Sequence, residues 1–171
     1  LMTAGRHHAW RRAVARAAGM DLADVLRLPS RDQMVAAMGR GAACVLEERL
    51  RAGALHGVLA VGGHQGAAIA AIALRDLPLG LPKAIVTTMA SGNVRPYVGC
   101  KDILMLFSVA DLVGGPNRVT APVLRNAALA LAGMTAGRSP AGRPPPAAHP
   151  AVAITALGNT HPAVTRAMQR L

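Results

Sequence analysis

The apolar positions of this chain change their period along its length, and each change marks an element. Over residues 6–18, Trp10, Ala13, Val14 and Ala17 recur at helical spacing and predict one buried face. Gly19 ends that helix, Asp21 is placed to cap a brief turn through Leu26, and Pro29 closes the turn. Ser30 is a good N-cap, with Asp32 in the first turn that follows. The helix it opens runs to about Arg51, with Met34, Ala37, Met38, Ala42, Val45, Leu46 and Leu50 as its buried stripe. Gly39 and Gly41 either weaken this helix or let a neighbour approach it closely. Gly53 ends it, and His56–Val61 is then apolar almost throughout, as a strand covered on both faces is. Gly62–Gly63 turns the chain into a helix of Ala and Ile over 66–76. Lys83–Thr88 predicts a second strand, Ser91-Gly92-Asn93 breaks it, and Ile103–Ser108 predicts a third. Gly114, Gly115 and Pro116 form a turn before an Ala/Leu helix from Val119 to Met134.

Strands alternating with helices predict an α/β fold, a Rossmann-like parallel sheet with helices on both faces. Three strands make a thin sheet, and the N-terminus supplies no earlier one, so the fold is expected to lack its first strand. The chain also opens on Leu1 rather than Met, as a fragment would. Ser139–Pro150 (SPAGRPPPAAHP) is Pro-rich and has no core potential. Val152–Thr155, Gly158 and the 161–171 stretch then resemble the opening βα unit of another domain. The expected organisation is an incomplete N-terminal α/β domain over 1–137, a linker over 138–150, and the beginning of a second α/β domain over 151–171.

Strand, glycine turn and helix start form the arrangement that turns backbone N–H groups toward an anion. Gly62, Gly63, His64, Gln65 and Gly66 make the candidate phosphate turn in a GGxxG frame. No Lys stands at the P-loop position, which argues against standard P-loop chemistry. The same glycines also suit a tight turn and close helix–strand packing. His64 can donate to a phosphate or simply stand in solvent, and Gln65 can orient a ligand or a water. Thr87, Thr88, Ser91, Gly92 and Asn93 follow the second strand, at the edge where open α/β sheets bind ligands, although Ser, Gly and Asn favour turns in any case. Asp102 is the candidate metal-side acid, holding Mg²⁺ through water, with Lys101 beside it; the pair also reads as an exposed charge pair at a strand start. Arg95 and Asp111 are similar candidates. No nucleophile–base–acid set and no paired carboxylates can be assembled, so the residues themselves establish no enzyme.

The net charge of +11 invites a nucleic-acid reading, but its placement weakens it. Residues 21–117 hold nine cations against eight acids, while the flanks, 1–20 and 118–171, hold ten Arg and no acid. Aromatic residues are 2% of the chain, too few to interleave stacking rings with the basic ones. Cys44 and Cys100 have no metal-ligand spacing and read as free thiols in a reducing cytoplasm. Ala52–Leu74 carries no Asp, Glu, Lys or Arg over a length that can span a bilayer, yet the glycine turn at its centre argues for a buried strand and helix instead.

A family resemblance enters at these residues. The block LPLGLPKAIVTTMASGNVRPYVGCKDI, with GGHQGA before it and SVADLVGGPNRVTAPVLRNAA after it, resembles the ATP-binding domain family of the tomato mosaic virus resistance protein and its uncharacterised bacterial relatives. Gly80, Pro82, Lys83, Ala90, Ser91, Gly92, Pro96, Tyr97, Val98, Gly99, Asp102 and Ile103 carry it most specifically. ITALGNTHPAVTRA resembles the start of that family's second domain, so the likeness extends from about Val14 to Leu171.

The resemblance implies a two-domain α/β protein whose N-terminal domain binds ATP with Mg²⁺ and whose full-length forms oligomerise. It further implies that the plant relative blocks viral RNA replication by binding the replication protein. The family's first strand carries a DTKG-like motif, which this chain lacks. His64 replaces a small residue of the family turn, Ala67 replaces a Thr whose hydroxyl would contact the ligand, Thr87 replaces Ser, and Gly115–Pro116 adds a residue. The sequence reading is thus a cytoplasmic ATP- or nucleotide-binding protein of unknown reaction. The alternative is a protein-interaction module without catalysis, in which nucleotide only stabilises.

Overall fold

The computed structural model describes residues 4–112 and 116–137, all within one compact unit of the chain. The expected linker over 138–150, the second-domain opening over 151–171, and Gly114–Gly115 lie outside the described residues. Six helices and three strands follow in the order α1 (Ala4–Ala17), α2 (Leu22–Leu26), α3 (Arg31–Arg51), β1 (Val58–Val61), α4 (His64–Arg75), β2 (Lys83–Thr87), α5 (Arg95–Val98), β3 (Leu104–Phe107) and α6 (Thr120–Ala136). A 3₁₀ turn, Thr88–Ser91, and α5 occupy what the sequence presents only as a polar loop.

The strands form one parallel sheet in the order β1-β2-β3, with Val58 opposite Lys83, Val61 opposite Val86, and Thr87 opposite Phe107. This is the expected α/β architecture, and its centre is β2, buried at every residue. Strand alternation sends Ile85 to the face covered by α4, where it packs with Ala67, Ala70, Ala71 and Leu74. Ala84 and Val86 point the other way and are also buried, and α6 packs on β1 and β2 to cover them. Burying each of Leu74, Leu77, Leu81 and Ile85 contributes about 1.5–3 kcal/mol.

Close approach replaces bulk in this core. A Cβ on Gly39 would sit 2.7 Å from the Cβ of Ile72 on α4. One on Gly41 would strike the backbone carbonyl of Val14 on α1. The two glycines in α3 therefore serve helix packing, and the helix runs through them unbroken. They also account for a correction in α1. The expected face holding Trp10 and Ala13 is exposed, with Trp10 at 48%, whereas Ala15 is fully buried. Contact with Gly41 selects the narrow face of Val14, Ala15 and Ala18 rather than the one that carries the large ring.

The amino ends of β2 and β3 are held together by charge. Lys83 is fully buried, and its ammonium donates to the Pro78 carbonyl at 2.7 Å and the Leu81 carbonyl at 3.0 Å. Its third partner is Asp102 Oδ1 at 2.8 Å, while Asp102 Oδ2 accepts from the Gly80 N–H at 2.7 Å. Every ammonium proton is thereby matched, as a buried Lys requires. Partial burial pushes the Asp102 carboxyl upward; hydrogen bonds from Lys83 and Gly80, with the ammonium charge, outweigh that and hold it below its usual range.

Two stability predictions follow from this packing. Gly→Ala inside a helix ordinarily stabilises by up to about 1 kcal/mol. Here Gly39→Ala and Gly41→Ala should each destabilise, by about 1–3 kcal/mol of overpacking. Gly41→Ala should be the worse, because a backbone carbonyl cannot swing aside; urea midpoints measure both. Asp102→Asn should cost about 1–3 kcal/mol at neutral pH by stripping a buried ammonium of its carboxylate. Because the folded pKa lies below the unfolded one, that contribution is full above pH about 4 and fades as pH falls through the folded value. Unfolding curves of the two forms should therefore stay a constant distance apart at neutral pH and converge in acid.

Candidate functional site

The carboxyl edge of the sheet is built from three strand exits. After β1, the Gly62 N–H donates to the Val86 carbonyl at 3.0 Å, which carries the ladder one residue past the strand. The chain then folds back so tightly that a Cβ on Gly62 would lie 2.9 Å from the Gly66 Cα. Gly63 caps α4 from an extended backbone with φ −70° and ψ −159°, and it supplies no side-chain cap. Its carbonyl accepts from Ala67 N–H at 2.8 Å. The N–H groups of His64, Gln65 and Gly66 belong to the first turn and have no partner within the helix. They point out of the sheet edge with the positive end of the helix dipole behind them.

Helix α2 also starts without a side-chain cap hydrogen bond, whereas α3 and α6 start with one from a nearby side chain. Ser30 Oγ accepts from Gln33 N–H at the start of α3. Asn117 Oδ1 accepts from the N–H groups of Val119 and Thr120, and Thr120 Oγ1 accepts from Asn117 N–H, closing the start of α6. Gly63 differs further in having nothing within 4 Å of where a Cβ would stand, and its φ is open to any residue. Gly62 must be glycine to admit the helix, whereas neither packing nor backbone conformation demands glycine at 63.

Beyond β2, the candidate hydroxyls are largely engaged in building their own loop. Thr87 is fully buried, and its Oγ1 accepts from Met89 N–H at 3.2 Å. Ser91 Oγ donates to the Thr88 carbonyl, and Asn93 Oδ1 accepts from Arg95 N–H. Thr88, half-buried at the head of the 3₁₀ turn, and exposed Gly92 complete the segment. Thr87, Thr88, Ser91, Gly92 and Asn93 thus reach the same sheet edge as the glycine turn, with three of the side chains holding the loop in shape.

His64 is anchored. Its Nδ1 lies 3.3 Å from the hydroxyl of Tyr97, a buried residue of α5. The Tyr97 carbonyl in turn accepts from Arg75 Nε at the far end of α4. Tyr97 therefore ties the glycine turn to the loop after β2, a role that spacing alone did not reveal. Gln65 is exposed beside it.

Asp102 is not brought to this site. It precedes β3 and so sits at the amino edge, roughly 13 Å of strand away from the carboxyl edge. There Lys83 and Gly80 occupy both its oxygens. The acid that follows β3 is Asp111, exposed, with its Oδ1 accepting from Leu112 N–H at 2.8 Å. The loop leading to it is strained: Val109 is β-branched, 58% exposed, and has φ +67°. Buried Ser108 holds that turn by donating to the Ala110 carbonyl at 2.8 Å. A residue after a parallel strand lies at the binding edge and one before it does not, which is the signal that separates Asp111 from Asp102.

The arrangement fits an anion through backbone donors. It does not supply a metal centre of its own, since no group of three His, Cys, Asp or Glu residues converges among the described residues. Among the described residues no helix is long and apolar enough to cross a membrane, and Cys44 and Cys100 are free and exposed.

Residues 4–140 match the N-terminal domain of an uncharacterised protein family, UPF0261. A UPF0261 protein of Mesorhizobium japonicum is 44% identical over 135 residues, 79% of this chain and 32% of the relative. Another, from Clostridium tetani, is 38% identical over 130 residues, 76% of this chain and 32% of the relative. The tomato ToMV resistance protein Tm-1 is 38% identical over 119 residues, 68% of this chain and 16% of the tomato protein. The chain thus spans about a third of the length of these bacterial relatives. On the extent of these matches, the chain belongs to the UPF0261 family, within its N-terminal domain.

Proposed function

We propose that this chain binds a nucleotide, with its phosphates at the glycine turn and ATP as the ligand that the family resemblance implies. One observation carries the reading. The helix after β1, α4, begins without a side-chain cap, behind a glycine whose side-chain space is empty, whereas Asn93 and Asn117 accept from the first N–H groups of α5 and α6. An anion at such an end gains about 0.3–1 kcal/mol from the helix dipole, besides charge-assisted hydrogen bonds from the N–H groups of His64, Gln65 and Gly66. Those terms alone give weak binding, so contacts to the base and ribose must supply the rest. His64, fixed by Tyr97, stands where it can donate a further hydrogen bond from Nε2. Mg²⁺ would arrive with the phosphates, and Asp111 rather than Asp102 is the acid on that edge. The reading is one of binding, and no catalytic step is assigned.

The test separates the turn's two kinds of glycine. Gly63→Ala places its Cβ in open space and should lower unliganded stability by no more than about 1 kcal/mol as a poorer N-cap. It should nevertheless weaken ATP binding at least tenfold, because the methyl group stands in the phosphate's path. Gly62→Ala should damage folding itself, since its Cβ meets the Gly66 Cα. At ATP a hundredfold above its dissociation constant, the native chain should gain about 2.7 kcal/mol in thermal or urea unfolding. No gain with ATP and Mg²⁺, or equal gains in the native and Gly63→Ala chains, would overturn the proposal.

A further inference from the structure

A groove lies between α1, α2, α3 and the first turns of α4. Leu22, Val25, Leu26, Met34, Met38 and Ile69 are among the residues that line it, and its volume is about 420 Å³. Arg11 and Arg31 stand at its rim, and an adjoining cleft over Leu22 and Leu26 adds Arg12 and Arg16. Leu26 is 55% exposed between the two. Apolar walls left open to water on a small domain mark an interaction surface, the more so when charged residues ring them.

The charge decides what fits. None of these four arginines makes an ion pair among the described residues, where Arg27 pairs with Asp24 and Arg51 with Glu47. Asp21 is the acid in the cleft, one carboxylate among three cations counted with Arg11. Residues 139–171 of this chain carry Arg143, Arg166 and Arg170 and no acid, so they would repel the rim. A second copy docked groove to groove would set the same arginines against each other. A small molecule is usually enclosed over most of its surface, which an open groove flanked by a second cleft does not do. An amphipathic helix laid along α3 matches both the shape and the chemistry.

We propose that the groove between α1, α2 and α3 docks an acidic amphipathic helix of a partner protein. Its apolar residues at i, i+3, i+4 and i+7 would enter over Leu26, Met34 and Met38. Its Glu and Asp residues would meet Arg11, Arg12, Arg16 and Arg31. Rim charges of this kind act mainly on association rate and salt dependence, while the apolar floor sets the lifetime of the complex. Gln65 borders both this groove and the glycine turn, but the proposal stands without a nucleotide.

Trp10, the one tryptophan of the chain and half-exposed next to Arg11, is the reporter. The probe is an amphipathic helical peptide with Leu on one face and Glu flanking it, titrated against the same peptide with Lys in place of Glu. The Glu peptide should shift Trp10 fluorescence and bind more weakly as salt rises, and the Lys peptide should not bind. Leu26→Glu, an exposed substitution that the fold tolerates, should weaken the Glu peptide at least tenfold, and Arg12→Glu with Arg16→Glu should do the same. Gly63→Ala should leave peptide binding unchanged, which separates a failure here from a failure of the nucleotide reading. Equal binding of both peptides, no binding at millimolar peptide, or indifference to Leu26→Glu overturns the proposal. So does decanoate taking the groove in place of the peptide, or a dimer in sedimentation that Leu26→Glu dissolves.

Discussion

Everything at the carboxyl edge depends on the contact between Gly62 and Gly66. With no Cβ on Gly62, β1 can hand the chain to α4 within a single tight turn. The helix then lies close enough to the sheet for Ala67, Ala70 and Ala71 to fill the interface. Gly39, receiving Ile72, lets α3 close on the outer face of the same helix. A chain with almost no aromatic residues thus makes a core by shortening distances instead of enlarging side chains. The orientation of α4 is a product of that packing, and so is the direction in which its first-turn N–H groups point.

The two edges of the sheet are chemically unlike. At the amino edge, Lys83, Asp102, Gly80 and the carbonyls of Pro78 and Leu81 satisfy one another. That set uses every ammonium proton of Lys83, and it joins β2, β3 and the end of the α4–β2 connection. At the carboxyl edge, donors at the start of α4 are open, Val109 is held in a left-handed conformation, and Asp111 is exposed. Strain and unspent hydrogen-bonding capacity gather where ligands bind and are tolerated because the surrounding structure holds them.

Much of this was legible from the pattern of apolar positions. The three strands and the long helices follow from runs bounded by glycine and proline, and observed ends such as Val58 and Thr87 differ from the expected ones by a residue or two. The glycine turn was legible as a turn, but its two glycines were not distinguishable, because only the fold shows that Gly62 faces Gly66 while Gly63 faces open space. The buried face of α1 was misjudged because periodicity favours the large Trp10, whereas the partner surface at Gly41 accepts only small groups. Residue type and nearness to a strand single out Asp102, but not which edge of the sheet it occupies. Its partner Lys83 lies nineteen positions earlier in the chain, and that pairing across strands leaves no local trace. Tyr97 reaches His64 across thirty-three positions, and the groove draws on four helices; neither could emerge from a window of neighbouring residues.

The account rests on α4 presenting its first-turn N–H groups to a phosphate, and amide chemical shifts of the nitrogen-labelled chain test it residue by residue. On titration with ATP and Mg²⁺, the amides of Gly63, His64, Gln65 and Gly66 should move most, followed by Thr88 and Gly92. Those of Gly80, Lys83 and Asp102 at the opposite edge should stay in place. Shifts concentrated at that opposite edge, or a glycine turn that does not respond to saturating ATP, would contradict it.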